Sequence, residues 1–213
     1  MKCDKADLLL YAVTDRNWLK EATLYEQVEQ ALQGGATFIQ LREKELEKEQ
    51  FLAEAIKLKQ LCKQYGIPFV INDDVSVALE VDADGVHVGQ RDMEAGEVRA
   101  KLGASKILGV SVQTTKQAIL AERHGADYLG VGAVFPTGTK SDADKVTYEA
   151  LSDICAAVSI PVIAIGGIDE NNISELGGSG ICGVAVVSAI FAQEDITGAT
   201  KRLRAVTKEA FIS

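Results

Sequence analysis

Short apolar runs and helical patterns alternate eight times along this chain, and that alternation limits what it can fold into. The runs Leu8–Thr14, Thr37–Leu41, Pro68–Ile71, Gly85–Val88, Lys106–Val110, Asp127–Val134, Pro161–Ile165 and Gly183–Val187 are too short for helices and read as strands. Helices are expected over Thr23–Gly34, Glu45–Tyr65, Val75–Val81, Met93–Leu102, Thr114–His124, Thr147–Val158, Glu170–Leu176 and Ile196–Ala210. The second of these puts Phe51, Ala55, Leu58 and Cys62 on one stripe and stops at Gly66.

Strands apolar on both faces indicate a parallel sheet covered by helices. Eight β/α units close naturally into an α/β barrel, the (β/α)8 TIM barrel. An open doubly wound sheet would show a Gly-x-Gly-x-x-Gly turn after its first strand, and Thr14-Asp15-Arg16-Asn17 is not one. The even strands share an opening phrase: Gly-Ala-Thr (35–37), Asp-Ala-Asp (82–84), Gly-Ala-Asp (125–127) and Gly-Ile-Cys (180–182). Its spacing of about 45 residues matches two β/α units per repeat. Residues 1–213 read as one domain, without a linker or low-complexity segment.

The net charge of −9 argues against a general nucleic-acid binder, which would carry a basic face. It leaves room for anionic small substrates held by a local Lys/Arg cluster. Apolar runs fall well short of a membrane span, and no hydrophobic signal region follows Met1, so a cytoplasmic location is expected. The four cysteines are far apart and read as reduced packing residues. A homo-oligomer is compatible with the sequence, which does not set the assembly state.

In a barrel of this kind the functional face is the carboxyl end of the strands. Gln40, Arg42 and Lys44 follow strand two at a spacing of two, so an extended backbone sends all three to one side. An amide, a guanidinium fork and an ammonium can bind a polar ring and an anion together, though a charged exit loop accounts for the same residues. Asn72-Asp73-Asp74 closes strand three, and Asp92 follows strand four. Asp73 and Asp92 could share a Mg²⁺ whose other ligands are water and phosphate oxygens. Each could instead cap a helix, a task Asp74 could equally take. Ser111 ends strand five. Thr137, Thr139 and Lys140 follow strand six on a Pro/Gly frame that suits a phosphate or merely a polar turn. The segment Phe135–Lys145 suits a mobile active-site loop. Gly166-Gly167 and Ser188 end strands seven and eight, where these barrels bind phosphate, and where a tight turn plus a cap would look alike. His87, inside strand four, reads as a filler of a core layer, and Trp18 as a cover on the barrel edge.

These phrases, in order, resemble the thiamine-phosphate synthase family along nearly the whole chain. The match is carried by Val13-Thr-Asp-Arg16, Gln40-Leu-Arg42-Glu-Lys44, Ile71-Asn-Asp73, Asp84-Gly-Val-His87-Val-Gly-Gln90-Arg-Asp92 and Gly109-Val-Ser111. It continues through Gly132 to Pro136-Thr137-Gly-Thr139-Lys140, Gly166-Gly-Ile168 and Val187-Ser-Ala-Ile190. The resemblance implies a Mg²⁺-dependent coupling of hydroxymethylpyrimidine diphosphate to a thiazole phosphate, with release of pyrophosphate. It implies that Arg42, Lys44, Asn72, Ser111 and Lys140 hold the diphosphate and that Gln40 bonds the pyrimidine. Asp73 and Asp92 would ligate one Mg²⁺, and Thr137, Thr139, Gly167, Val187 and Ser188 would hold the thiazole phosphate. Two rivals share the scaffold: a thiazole tautomerase, which needs a histidine acid/base and no diphosphate cluster, and a non-catalytic binder of thiamine phosphates.

Overall fold

In the computed structural model, which describes residues 3–19, 21–90, 92–137 and 145–211, eight parallel strands pair in sequence order and close on themselves. They are β1 (Leu10–Val13), β2 (Phe38–Leu41), β3 (Phe69–Asn72), β4 (Gly85–Val88), β5 (Ile107–Val112), β6 (Tyr128–Val131), β7 (Val162–Ile165) and β8 (Gly183–Val186). Closure is made by β1 against β8, with Tyr11 beside Ala185. Outside lie α1 (Leu24–Gly34), α2 (Lys48–Tyr65), α3 (Val75–Glu80), α4 (Ala95–Leu102), α5 (Thr115–Arg123), α6 (Tyr148–Ala157), α7 (Ser188–Phe191) and α8 (Ile196–Phe211).

The helix starts follow side-chain capping. Thr23 accepts from Glu26 N at 3.2 Å while the Glu26 carboxylate accepts from Thr23 N at 2.7 Å, a reciprocal box that opens α1. In the seventh unit the expected helix Glu170–Leu176 shrinks to one 3-10 turn, Ile173–Leu176, cut short by Gly177 and Gly178. The 3-10 turn at Arg16–Trp18 had no expectation, whereas the short helix expected to start after Ser188 is α7.

The repeated phrase acquires a physical meaning. Its third residue sits just before an even strand and accepts a hydrogen bond from the start of the preceding odd strand. Thr37 Oγ1 accepts from Leu10 N at 2.9 Å, Asp84 from Phe69 N at 2.8 Å and Asp127 from Leu108 N at 2.8 Å. Three strand-start N–H groups thus find partners at the closed end of the barrel. At the fourth position Cys182 Sγ instead points to Val162 O at 3.4 Å.

Strand residues alternate between two cores. One side of each strand packs against the helices in a large cluster that includes Ile39, Leu41, Ile71, Leu108 and Val184. The other fills the barrel with Tyr11, Val13, Phe38, Val70, Ile107, Tyr128, Ile163 and Ala185. The seam beside β1 and β8 is sealed by α1 against α8. A Cβ on Gly34 would stand 2.5 Å from Thr200 Cβ, and Thr197 Oγ1 donates to Gln30 O at 3.1 Å. All four cysteines are free, and burial raises every thiol pKa, to about 12 at Cys62 and about 11 at Cys155 and Cys182. They are protonated packing groups.

Candidate active site

At the carboxyl ends of the strands lies a cavity of about 420 Å³. It gathers Gln40, Arg42, Lys44, Asn72, Asp73, Asp92 and Ser111 on one side and Thr137, Gly167, Val187 and Ser188 on the other. Every described residue expected in the site is therefore in one cavity. Thr139 and Lys140, and with them most of the expected loop, lie outside the described residues. Between the polar ends the lining is apolar, from Val13, Ile163, Ile165, Ile168 and Ala185.

Gln40 occupies β2 with its side chain in the barrel, and Arg42 and Lys44 continue the same direction past the strand. Arg42 is anchored rather than loose. Its backbone N donates to Thr14 Oγ1 at 3.0 Å, and its guanidinium pairs with Asp15 Oδ2 at 3.4 Å. Asp15 also accepts from Asn17 N at 2.9 Å and so is itself held by the 3-10 turn. Behind it Arg16 reaches Glu43 at 2.8 Å and also pairs with Glu54. Burial raises the Glu43 pKa, against the pull of Arg16. The charged exit loop is thus an ion-paired support that fixes where the Arg42 fork points.

The acidic pair comes together. Asp73 has φ +62, in the left-handed region, which a non-glycine residue occupies at some cost. Its N–H donates to His87 O at 2.8 Å, and its carboxylate receives Lys44 Nζ and Asn72 Nδ2, both at 2.6 Å. Asp74 takes the capping task, accepting from Val77 N at 2.9 Å, so Asp73 has no helix to cap. Asp92 caps none either: α4 starts at Ala95, while Asp92 Oδ2 turns back to accept from Gly89 N at 2.7 Å. It lies within hydrogen-bonding reach of Asp73. Burial and that neighbouring carboxyl raise its pKa, against the Gly89 N–H and the more distant Lys44 charge.

On the far side Gly166 (φ +99) and Gly167 (φ +67) make a turn closed to other residues. A Cβ on Gly167 would stand 2.8 Å from Phe135 Cβ. Asn172 Nδ2 holds the turn through Gly167 O at 2.8 Å. Ser188 begins α7, with only Val187 between it and the end of β8 at Val186.

One expectation needs correction, and one gains detail. Ser111 does not end its strand: β5 runs on to Val112, so Ser111 is locked inside the ladder beside Gly130. His87 does fill an interior layer, but its ring is bonded at both nitrogens, to Tyr128 at 2.9 Å and to Ser111 at 2.8 Å. Sequence reading also gave no site role to Tyr11, which lines the cavity, or to Gln90, whose amide donates to Ser111 O at 2.8 Å. Tyr11 left a faint signal, as a phenol inside an otherwise aliphatic strand.

A family model described as "Thiamine monophosphate synthase" matches residues 10–190. The chain belongs to that family. It is 50% identical over 200 residues to the thiamine-phosphate synthase of Clostridium beijerinckii, covering 94% of this chain and 96% of that one. The Alkaliphilus oremlandii thiamine-phosphate synthase is also 50% identical, over 202 residues, covering 95% and 97%. Among solved structures, a thiamine phosphate pyrophosphorylase from Pyrococcus furiosus superposes with a TM-score of 0.89 at 41% identity, over 97% of this chain and 98% of that one. All the lining residues of the cavity, on both of its sides, fall inside the segment that the thiamine monophosphate synthase model matches.

Proposed function

We propose that the protein couples hydroxymethylpyrimidine diphosphate to a thiazole phosphate, releasing pyrophosphate and forming thiamine phosphate. The observation that carries this reading is a single cavity joining the Gln40/Arg42/Lys44/Asn72/Ser111 group to the Thr137/Gly167/Ser188 group. Two anionic reactants can lie there end to end, with their rings over the apolar lining.

Arg42, Lys44, Asn72 and Ser111 would grip the diphosphate, with Lys140 joining them by its place in the motif. Gln40 would bond the pyrimidine. Thr137, Thr139, Gly167, Val187 and Ser188 would hold the thiazole phosphate, where glycine leaves backbone N–H groups open to an anion. The bond from the pyrimidine methylene to the diphosphate oxygen breaks, and its electron pair leaves with pyrophosphate. The thiazole nitrogen supplies the pair for the new carbon–nitrogen bond. The side chains neutralise the leaving group and hold the acceptor in line, so the catalytic contribution is positioning and electrostatics. The Val13/Ile163/Ile165 lining keeps water from the methylene carbon.

Asp73 and Asp92 suit one Mg²⁺. Two carboxylates in mutual reach, one already drawing an ammonium, favour a cation between them. Among the described residues no group of three or more acidic, His or Cys side chains gathers. That suits an ion completed by water and phosphate oxygens rather than a protein cage. When bound, Mg²⁺ would offset diphosphate charge by several kcal/mol. A tautomerase would need a histidine acid/base, and both ring nitrogens of His87 already have protein partners. No helix of the described residues is long and apolar enough to cross a membrane. We read the reaction as cytoplasmic, on small-molecule substrates.

Pyrophosphate release tests this reading. It should require both substrates together and Mg²⁺; release from the diphosphate alone at the same rate, or none with both, refutes it.

A further inference from the structure

At the cavity wall, five side chains from five strands form an unbroken hydrogen-bonded row across the barrel, four of them lining the cavity. Gln40 Nε2 meets Tyr11 Oη at 2.6 Å, Tyr11 Oη meets Tyr128 Oη at 2.8 Å, and Tyr128 Oη meets His87 Nδ1 at 2.9 Å. His87 Nε2 meets Ser111 Oγ at 2.8 Å. Both phenols are buried, and burial raises their pKa far above the ordinary tyrosine value, so each keeps its proton. Even the backbone makes room for the row. A Cβ on Gly109 would stand 2.5 Å from His87 Nδ1 and collide with the Tyr128 ring, so glycine is what lets these two rings meet.

Proton counting gives the row a direction. An amide nitrogen only donates, so the Tyr11 oxygen accepts from Gln40. The single Tyr11 proton must then go to Tyr128, because an unpartnered hydroxyl buried here costs about 1–3 kcal/mol. The Tyr128 proton in turn goes to His87 Nδ1. A ring nitrogen that accepts carries no hydrogen, so His87 is neutral and protonated at Nε2, from which it donates to Ser111 Oγ. The Ser111 proton remains for the cavity that Ser111 lines. With His87 neutral, one other fully satisfied arrangement exists. It turns the Gln40 oxygen to Tyr11, reverses every proton, and ends with Ser111 donating to His87 instead of into the cavity. A mixture of the two strands a buried proton, so the two ends of the row switch together; a doubly protonated His87, donating to both Tyr128 and Ser111, would uncouple them.

We propose that Tyr11, Tyr128 and His87 are positioning residues that set the Gln40 amide and the Ser111 hydroxyl in one linked orientation. The inference rests on the assignment of Gln40 to the pyrimidine and Ser111 to the diphosphate made above. With its nitrogen tied to Tyr11, Gln40 shows the cavity an oxygen acceptor beside one remaining N–H. That pair fits an exocyclic amine next to a ring nitrogen, as an amide reads the equivalent edge of adenine. A pyrimidine carrying oxygen in place of the amine presents the wrong order of donor and acceptor. At the opposite end the same row aims the Ser111 O–H at the diphosphate. Ring recognition and leaving-group binding are thereby coupled through the barrel interior, without contact between the two side chains that perform them.

The test uses Tyr128→Phe, which keeps the ring against Tyr11 and Phe38, at centroid separations of 5.9 and 5.8 Å, and deletes only the hydroxyl at the middle of the row. Steady-state kinetics should show the KM for the aminopyrimidine diphosphate raised about tenfold and its preference over the oxo analogue lowered about tenfold. The KM for the thiazole phosphate should not change. An unaltered amino/oxo preference, or equal increases in both KM values, overturns the proposal. Independently of any substrate, 15N NMR of the histidine-labelled parent should show two rings, with His87 purely Nε2–H; an Nδ1–H or doubly protonated His87 overturns it even if the variant fails to fold. Absence of pyrophosphate release by the parent would reject the assigned reaction, while the His87 tautomer would still decide the direction of the row.

Discussion

Asp92→Asn should make the metal-free protein more stable and the enzyme almost inactive. The structure sets Asp92 within hydrogen-bonding reach of Asp73, and its pKa is raised by burial and by that neighbour. Two unit charges 4 Å apart repel by about 1 kcal/mol in water and about 4 kcal/mol near a protein surface. Lys44 on Asp73 and solvent at the cavity mouth put this pair at the low end, about 1 kcal/mol. Asparagine keeps an oxygen for the Gly89 N–H, now at 2.7 Å, so removal of charge is the main change. In EDTA the variant's Tm should rise by about 2–4 °C, the shift that 1 kcal/mol produces in a chain of this size. The sign reverses with metal. Mg²⁺ should raise the Tm of the parent by mass action and leave the variant nearly unmoved. The kcat/KM for coupling should fall at least about 100-fold, because the lost charge stabilisation amounts to several kcal/mol. Differential scanning fluorimetry with and without Mg²⁺, run beside the pyrophosphate assay, reads all three quantities. A variant less stable than the parent in EDTA, or one that keeps Mg²⁺-dependent turnover, refutes the reasoning.

Arg42→Ala should cut kcat/KM for the pyrimidine diphosphate about 100-fold, since it removes the charged fork that Asp15 orients, and leave the KM for the thiazole phosphate near the parent value; initial-rate kinetics with each substrate varied checks this. Ser188→Ala should do the reverse, raising the KM for the thiazole phosphate about tenfold and sparing the diphosphate; an effect on the pyrimidine substrate would mean the subsites are exchanged. Asp82 has its pKa lowered to about 2 by Lys106 and Lys59. A depressed carboxylate stabilises the fold above its unfolded pKa and loses that contribution as the pH falls through the folded value. Asp82→Asn should therefore be less stable than the parent at pH 6, and urea titrations should show the gap closing between about pH 4 and pH 2.

What the sequence disclosed depended on how local the cause was. β4 was legible to the residue because Gly85–Val88 is bounded by turn chemistry at both ends. β6 was drawn four residues too long, three of them at its carboxyl end. Gly132-Ala-Val134 is as apolar as the strand before it, but its backbone leaves the ladder, and Val134 N bonds Ile165 O at 3.1 Å. α2 begins at Lys48, not Glu45, since helical propensity does not mark where the exit loop ends. Most of the cavity lining could be read from strand ends because barrel geometry brings them to one rim. The support could not: Arg42 and Asp15 are 27 residues apart, and Tyr11 and Tyr128 are 117 apart. No spacing rule links such pairs. Only the closed sheet does.

The stitch between α1 and α8 has a bearing on how the molecule is made. A nascent chain that has reached only β7 carries two bare sheet margins and lacks Ser188, so it resembles an unrolled strip exposed to self-association. Pairing of β8 with β1, sealed by α8 against Gly34 and Gln30, turns the strip into a tube. Catalytic competence should then arrive in one step, once β8 and α8 are in place, rather than accumulate with each β/α unit.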